Sequence, residues 1–272
     1  MKTLIIYYSG SGNTKHGVEL IKMGIEKDGI NTCQIVKIDD LNNNIIENYD
    51  LVGFASPIYG FKPAFNIMKL IKNLKKESGK PCFTFTTHAG EPANSDLILF
   101  DSLKERGFNV INQSNMECED SWTFIRKVGK TYEVQRPTKE KQNSIYELGE
   151  KLSNIFDENK LSSQTVPRPK FNFCWQHLVS KTFIKMFLPF WFVTKVDTSK
   201  CTKCSLCVNT CPTGRMNIET FPRVNGECIG CNGCINICPN DAVIGLGTRG
   251  KEKYKGIPIN KKIIINKKTI DR

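Results

Sequence analysis

Eight of the twelve cysteines lie in two runs of identical spacing near the carboxyl end of the chain. In each run, three cysteines are separated by two residues, and a fourth follows after three more residues and directly precedes a proline. The first run is Cys201, Cys204, Cys207 and Cys211, and the second is Cys228, Cys231, Cys234 and Cys238. Cysteine thiolates at this spacing are typical ligands of [4Fe-4S] clusters. The two runs are also the internal repeat of the chain.

The two runs are expected to exchange their last cysteine. In this pattern, three closely spaced thiolates hold three irons of one cube, while the cysteine before proline ligates the other cube. One cluster would therefore use Cys201, Cys204, Cys207 and Cys238, and the other would use Cys228, Cys231, Cys234 and Cys211. Gly230 and Gly233 would let backbone N–H groups approach the sulfur atoms and raise the reduction potential.

Zinc is the alternative metal, because paired cysteines also bind zinc. Four zinc ligands, however, require neither a third closely spaced cysteine nor the Cys-Pro step. The four cysteines outside the runs are expected to be packed small apolar residues. They are Cys33, Cys82, Cys118 and Cys174.

A glycine-rich turn follows the first apolar segment of the chain. Its residues are Ser9, Gly10, Ser11, Gly12, Asn13 and Thr14, and a helical pattern begins at Lys15. N–H groups and hydroxyls at the start of a helix suit a phosphate dianion. The turn lacks the Gly-Lys-Ser/Thr ending of an ATP-type loop and the G-x-G-x-x-G dinucleotide fingerprint. It is predicted to be a phosphate-binding loop of another kind.

Two further segments are predicted as loops at the carboxyl ends of strands, the edge where open α/β sheets bind ligands. The first contains Pro57, Ile58, Tyr59 and Gly60, and the second contains Thr87, His88, Ala89 and Gly90.

The first 160 residues alternate short apolar runs with helical patterns, which predicts a doubly wound α/β fold. Five parallel strands are expected near residues 3–8, 32–38, 50–55, 81–87 and 108–111. Helices are expected near residues 15–27, 64–76 and 95–106, and after Pro137, where apolar residues recur at helical spacing.

The three loops together resemble the flavodoxin family over residues 1 to about 158, and the cysteine runs resemble bacterial-type ferredoxins with two [4Fe-4S] clusters, a small α+β fold. Their combination resembles the flavodoxin-ferredoxin fusions known as the EFR1 family. The resemblance implies bound FMN, with Tyr59 on the isoalloxazine ring and the Gly60 peptide able to turn its carbonyl toward flavin N5. His88 and Gly90 would line the other side of the ring.

Four regions are predicted along the chain: a flavodoxin-like domain at 1–158, a connecting segment at 159–195, a two-cluster domain at 196–248 and a basic extension at 249–272. The connecting segment begins with prolines and serines, which are typical of a linker, and continues as an aromatic and basic stretch. Three hypotheses remain open for that stretch: it packs between the domains, it contacts anionic lipid, or it binds a partner protein.

The net charge of +12 falls entirely on residues 161–272, which hold 18 Lys/Arg against 6 Asp/Glu. The charge favours redox partner proteins with acidic docking surfaces. Nucleic acid is not expected as a partner, because no binding motif accompanies the charge. No apolar stretch reaches the ~20 residues of a transmembrane helix, so a cytoplasmic protein with at most peripheral membrane contact is expected.

The two cofactor types predict an electron-transfer protein that passes electrons between FMN, the two clusters and partner proteins. FMN holds one or two electrons and each cluster one, so the chain could convert between paired and single transfers or relay single electrons. The alternative is an FMN-dependent reductase that acts on its own small substrate. No acid-base pair for such a reaction is evident from the sequence.

Overall fold

The computed structural model describes residues 1–41, 45–122, 137–157, 160–161, 163–173, 193–219, 221–224, 228–245 and 253–257. Its larger part is a sheet of five parallel strands: β1 (Lys2–Tyr7), β2 (Thr32–Lys37), β3 (Leu51–Tyr59), β5 (Pro81–His88) and β6 (Asn109–Glu117). A short strand, β4 (Lys62–Pro63), pairs antiparallel with the end of β3. The strand order is β2-β1-β3-β5-β6. This is the order of a flavodoxin-like doubly wound sheet, so the predicted fold class is confirmed.

Helices cover both faces of the sheet, so the central strands β1 and β3 are buried along most of their length, whereas the edge strands β2 and β6 carry polar residues. One face packs against α1 (Asn13–Ile25) and α4 (Lys139–Asp157). The opposite face packs against α2 (Phe65–Asn73) and α3 (Ser95–Glu105). The two faces form two separate apolar cores, and Tyr7 and Tyr8 point into different ones.

Glycines bring α1 and α4 into backbone contact. A Cβ atom on Gly24 would lie 2.1 Å from the carbonyl oxygen of Tyr146, and one on Gly149 would lie 2.2 Å from that of Ile21. A larger residue at either position would push the helices apart. This packing fixes α1, whose first turn carries the end of the glycine-rich loop.

The segment after α4 is attached to the surface of this domain. The N–H of Val166 donates to the carbonyl of Val110 in β6. Asn94 and Asn172 exchange two hydrogen bonds of 2.9 and 2.8 Å. The described part of the predicted linker is therefore an ordered strap along the sheet domain.

The cysteine-rich part is a small α+β unit built around a pseudo-repeat. Its elements are β7 (Val193–Val196), α5 (Leu206–Thr210), β8 (Met216–Ile218), β9 (Pro222–Val224), α6 (Gly233–Ile237) and β10 (Val243–Gly245). β10 pairs antiparallel with β7, and β8 pairs antiparallel with β9. Because β7 begins at Val193, residues 193–195 belong to this unit and not to the connecting segment in which the sequence analysis placed them.

Two strands are longer than expected. β3 continues through Pro57, Ile58 and Tyr59, because β4 pairs with its end, and β6 continues to Glu117, because β5 pairs with it as far as His88. Residues 57–59, 87 and 88 therefore lie at strand ends, where the sequence analysis expected loops. Most of the aromatic and basic stretch, residues 174–192, lies outside the described residues, as does Cys174. Within the described residues, no helix has the length and apolar character needed to cross a membrane.

Candidate functional site

Two cavities in the cysteine-rich unit are each lined by four cysteines. The first encloses about 320 Å³, part of it open to solvent, and its cysteines are Cys201, Cys204, Cys207 and Cys238. The second spans about 360 Å³, also partly open to solvent, and its cysteines are Cys211, Cys228, Cys231 and Cys234. Each set contains three cysteines of one run and the last cysteine of the other, which is the exchange expected from the sequence.

Two short helices produce this exchange. Ser205 and Asn232 have positive φ angles of 59° and 52°, and α5 and α6 begin directly after them. Each helix carries the third cysteine of its run and ends one residue before the fourth. The prolines that follow, Pro212 and Pro239, line the cavity of the opposite run.

Backbone N–H groups approach the sulfur atoms in the same way in both halves. The N–H of Lys203 donates to Sγ of Cys201 and that of Gly230 to Sγ of Cys228, both at 3.4 Å. At the exchanged positions, Met216 donates to Sγ of Cys211 at 3.5 Å and Ala242 to Sγ of Cys238 at 3.3 Å. The approach expected at Gly230 is therefore present, with a matching one at Lys203.

The donor set fits iron-sulfur cubes better than single metal ions. Tetrahedral zinc needs four sulfurs about 2.3 Å from one centre. Among the described residues, which include all eight of these cysteines, no three His, Cys, Asp or Glu side chains are grouped to hold one ion directly. Burial raises the pKa of the Cys231 thiol to about 11, and a bound iron centre would stabilise its thiolate form.

The three predicted loops meet at one edge of the sheet, because β1, β3 and β5 are adjacent and parallel. Ser9, Gly10, Ser11 and Gly12 connect β1 to α1, whereas Asn13 and Thr14 form the first turn of α1. Gly60 lies in the turn between β3 and β4, and Ala89 and Gly90 follow β5. The hydroxyls of Thr14 and Thr87 lie 2.8 Å apart and join the first loop to the third.

The first loop offers donors for an anion. Oγ of Ser9 accepts hydrogen bonds from the N–H groups of Gly12 and Lys15 at 3.1 and 3.3 Å. The N–H groups of Asn13 and Thr14 open α1 and have no acceptor within the helix. A Cβ atom on Gly12, where φ is 91°, would meet nothing within 4 Å, so the approach to the loop is open at this point.

His88 carries a buried polar atom without a partner among the described residues. Its Nδ1 lies within hydrogen-bond distance of the Gly90 carbonyl, so Nδ1 would carry the proton, and Nε2 is buried and unsatisfied. A ring nitrogen of this kind fits a hydrogen-bond donor on a bound ligand.

The cysteine-rich unit lies directly on the first loop. A Cβ atom on Gly10 would lie 3.3 Å from Cβ of Cys231, and one on Gly233 would lie 3.2 Å from the Gly10 carbonyl oxygen. Oη of Tyr254 donates to Oδ1 of Asn13. The side chain of Ile229 packs against the apolar core beneath the loop. The second cavity therefore adjoins the predicted phosphate loop.

Tyrosine side chains lie close to the contact between the cysteine-rich unit and the first loop. Tyr59, expected on a flavin ring, has its ring edge-on to Tyr8 at 6.5 Å between centroids and its hydroxyl beside Gly10. Sequence reasoning did not identify Tyr8 or Tyr254. Tyr8 has a visible signal, since it directly precedes the glycine-rich turn, whereas nothing near Tyr254 in the sequence links it to residue 13.

The cysteine-rich unit matches a known protein family. Residues 194–239 match the family described as "4Fe-4S dicluster domain". The chain is 36% identical over 117 residues to "Uncharacterized protein MJ0298" of Methanocaldococcus jannaschii, which covers 42% of this chain and 73% of that protein.

Among solved structures, a flavodoxin from the domain Archaea is 17% identical with a TM-score of 0.42, over 58% of this chain and 99% of that chain. Oxidised flavodoxin 1 from Bacillus cereus is 19% identical with a TM-score of 0.41, over 55% of this chain and 95% of that chain. The fold assignment itself rests on the strand order.

The chain is thus a fusion of a flavodoxin-like domain with a 4Fe-4S dicluster domain, a combination that supports an electron-transfer role. It belongs to the same family as the Methanocaldococcus jannaschii protein.

Proposed function

We propose that this protein relays electrons between FMN, held at the sheet edge, and two [4Fe-4S] clusters in the cysteine cavities, and from there to partner proteins. The observation that carries the proposal is the contact of Cys231, in the second cavity, with Gly10 of the phosphate loop. This contact would bring a cluster ligand against the loop that would hold the flavin.

The cysteines would hold the clusters in the exchanged arrangement. One cube would be ligated by Cys201, Cys204, Cys207 and Cys238, and the other by Cys228, Cys231, Cys234 and Cys211. The paired N–H donors to Cys201, Cys211, Cys228 and Cys238 support this assignment, because such donors stabilise negatively charged sulfur in both halves of the repeat.

The sheet edge would hold FMN. Residues 9–14 would bind the phosphate through backbone N–H groups and hydroxyls, and residues 57–60 and 87–90 would flank the ring. The buried, unsatisfied Nε2 of His88 supports this assignment, because a flavin imide N–H would satisfy it. When bound, FMN would supply one- or two-electron chemistry and the clusters one-electron chemistry.

The position of the first cavity favours it as the exchange point with partners. Its Cys204 is exposed, and so are its neighbours Lys200, Lys203 and Leu206. Cationic side chains around an exposed cluster ligand fit a partner protein with an acidic surface, and they would speed its approach.

The test is anaerobic purification with quantification of iron, sulfide and flavin, followed by a stepwise reductive titration monitored by optical and electron-paramagnetic spectroscopy. We expect about eight irons and one FMN per chain, with flavin and cluster signals changing in successive steps. Eight irons without flavin would contradict the relay, and zinc in place of iron would contradict the cluster assignment.

The same preparation tests the alternative, an FMN-dependent reductase. The relay predicts that electrons leave the reduced protein only when an acceptor protein or dye is added. Steady oxidation of the reduced protein by a small organic substrate, with stoichiometric product, would favour the reductase.

A further inference from the structure

We propose that the hydroxyl of Tyr8 donates a hydrogen bond to the cluster-ligating sulfur of Cys231 and so raises the reduction potential of the second cluster above the value its cysteines alone would give. This inference rests on the proposed function, because it requires a cluster at Cys231. It adds a residue of the flavodoxin-like domain to the environment of a cluster held by the other domain.

The geometry around Gly10 places the two side chains together. A Cβ atom built on Gly10 would lie 3.3 Å from Oη of Tyr8 and 3.3 Å from Cβ of Cys231. Tyr8 is 1% exposed and Cys231 7% exposed, so both side chains lie in the protein interior, shielded from bulk water. The tyrosine hydroxyl and the cysteine therefore share one buried space.

The Tyr8 hydroxyl is a hydrogen-bond donor that lacks an acceptor among the described residues. It is buried and has no partner of standard geometry among the described residues. A buried hydroxyl without a partner destabilises the folded protein, so native structures rarely retain one. A thiol is a weak acceptor, whereas a thiolate is a strong one. Ligation of iron by Cys231 would supply the acceptor that the hydroxyl lacks.

The second tyrosine at this point, Tyr59, also lies near Cys231, but its hydroxyl is closest to the phosphate loop. Oη of Tyr59 would lie only 2.6 Å from a Cβ atom on Gly10, beside the backbone of the phosphate loop. Tyr8 is therefore the residue assigned to the sulfur. Tyr59 packs edge-on against it and fixes its ring.

The first cavity differs from the second in the surroundings of its second cysteine. Cys204, which occupies the same position in its run as Cys231, is exposed to solvent, and no tyrosine is among the described residues that line its cavity. The two halves match in their backbone N–H donors, whereas among the described residues a buried tyrosine hydroxyl lies beside the second cysteine of the second run and not beside that of the first. The hydroxyl thus acts on one cluster of the pair.

The direction of the effect follows from charge. Reduction adds one negative charge to a cluster, and a hydrogen bond to its sulfur stabilises the reduced form more than the oxidised form. Loss of the hydroxyl should therefore lower the potential of the second cluster and leave that of the first unchanged.

The test compares Tyr8→Phe with Tyr7→Phe in the full-length protein. Tyr7 is the last residue of β1 and Tyr8 directly follows it, but Tyr7 points into the opposite core, away from the cysteines of the two runs. Midpoint potentials are measured by electron-paramagnetic redox titration, after iron counts show that each variant holds both clusters. In Tyr8→Phe, we expect the reduction equilibrium of one cluster to fall about tenfold, which is about 59 mV for one electron. Tyr7→Phe should match the native protein.

Two results would overturn the inference: unchanged potentials in Tyr8→Phe, or an equal shift of both clusters. A shift of the same size in Tyr7→Phe would also overturn it, because the effect would then not depend on Cys231. Failure of the native protein to hold iron-sulfur clusters would instead reject the proposed function. The iron count separates that failure from the other results.

Discussion

Tyr254 donates a hydrogen bond to Oδ1 of Asn13, although the two residues are 241 positions apart in the sequence. Asn13 opens the first helix of the flavodoxin-like domain, and Tyr254 follows β10, the last strand among the described residues of the cluster domain. Both side chains are buried, at 7% and 3% exposure. The bond ties the end of the described chain to the phosphate loop.

Replacing Tyr254 by Phe should weaken the attachment of this segment. A buried hydrogen bond contributes about 1 kcal/mol, and its loss leaves the amide oxygen of Asn13 without this donor. We expect a lower thermal midpoint and faster proteolysis near residue 254, measured on the anaerobic holoprotein. Tyr49→Phe is the control, since Tyr49 donates to Gln34 within the flavodoxin-like domain. Equal proteolysis at residue 254 in both variants would contradict this role.

The exchanged cysteines can be tested by paired substitutions. If Cys211 and Cys231 ligate the same cluster, Cys211→Ala combined with Cys231→Ala should remove one cluster and leave about four irons. Cys211→Ala combined with Cys204→Ala should remove both clusters, although Cys204 and Cys211 belong to the same run. Iron and sulfide counts after anaerobic purification give the result. The opposite pattern, with iron retained in the Cys204 and Cys211 pair, would show that each run holds its own cluster.

Charge reversal at the exposed face of the first cavity should slow electron transfer to an acidic partner. Lys200→Glu with Lys203→Glu replaces two exposed positive charges beside Cys201 and Cys204. We expect a bimolecular rate constant with an acidic flavodoxin as acceptor that is about tenfold lower at low salt, and a smaller difference at high salt. Stopped-flow spectroscopy measures the rate. Lys69→Glu with Lys72→Glu, on exposed positions of α2, is the control of equal charge, and an equal loss there would contradict a localised docking surface.

Asp96 predicts a pH dependence of stability. Burial raises the pKa of this carboxyl, an effect only partly offset by the hydrogen bond of 3.0 Å from Thr86. Because the folded pKa lies above the unfolded one, stability falls as pH rises from about 3.8 through the folded pKa, and stays lower above it. Asp96→Asn should therefore be more stable than the native protein at pH 7, with the difference shrinking toward acid pH. Thermal midpoints across this range test it, and a difference that grows toward acid pH would contradict the assignment.

Patterns within short stretches of sequence were sufficient to predict the strands of the sheet domain and the cysteines that line each cavity. Apolar runs predicted all five parallel strands. The exchange of Cys211 and Cys238 between the cavities was predicted from the known two-cluster pattern, in which the cysteine before proline ligates the other cube. The strand ends at Tyr59 and His88 were missed, since they depend on pairing with β4 and β6, which are remote partners that a local pattern does not show.

The contacts between the two domains could not be predicted from the sequence. The approach of Cys231 to Gly10 needs the orientation of one domain on the other, and nothing in either motif specifies it. The attachment of the strap through Val166 and Asn172 was missed for a related reason. Its Pro/Ser composition resembles a free linker, whereas its hydrogen bonds go to backbone and amide groups of the sheet domain.

The most direct test of the relay is anomalous diffraction at the iron edge from anaerobic crystals of the flavin-loaded protein. We predict two four-iron peaks, one among Cys211, Cys228, Cys231 and Cys234 against the Gly10 loop, with FMN density along residues 9–14, 57–60 and 87–90. Single metal atoms in the cavities, or a flavin bound away from that loop, would contradict the account.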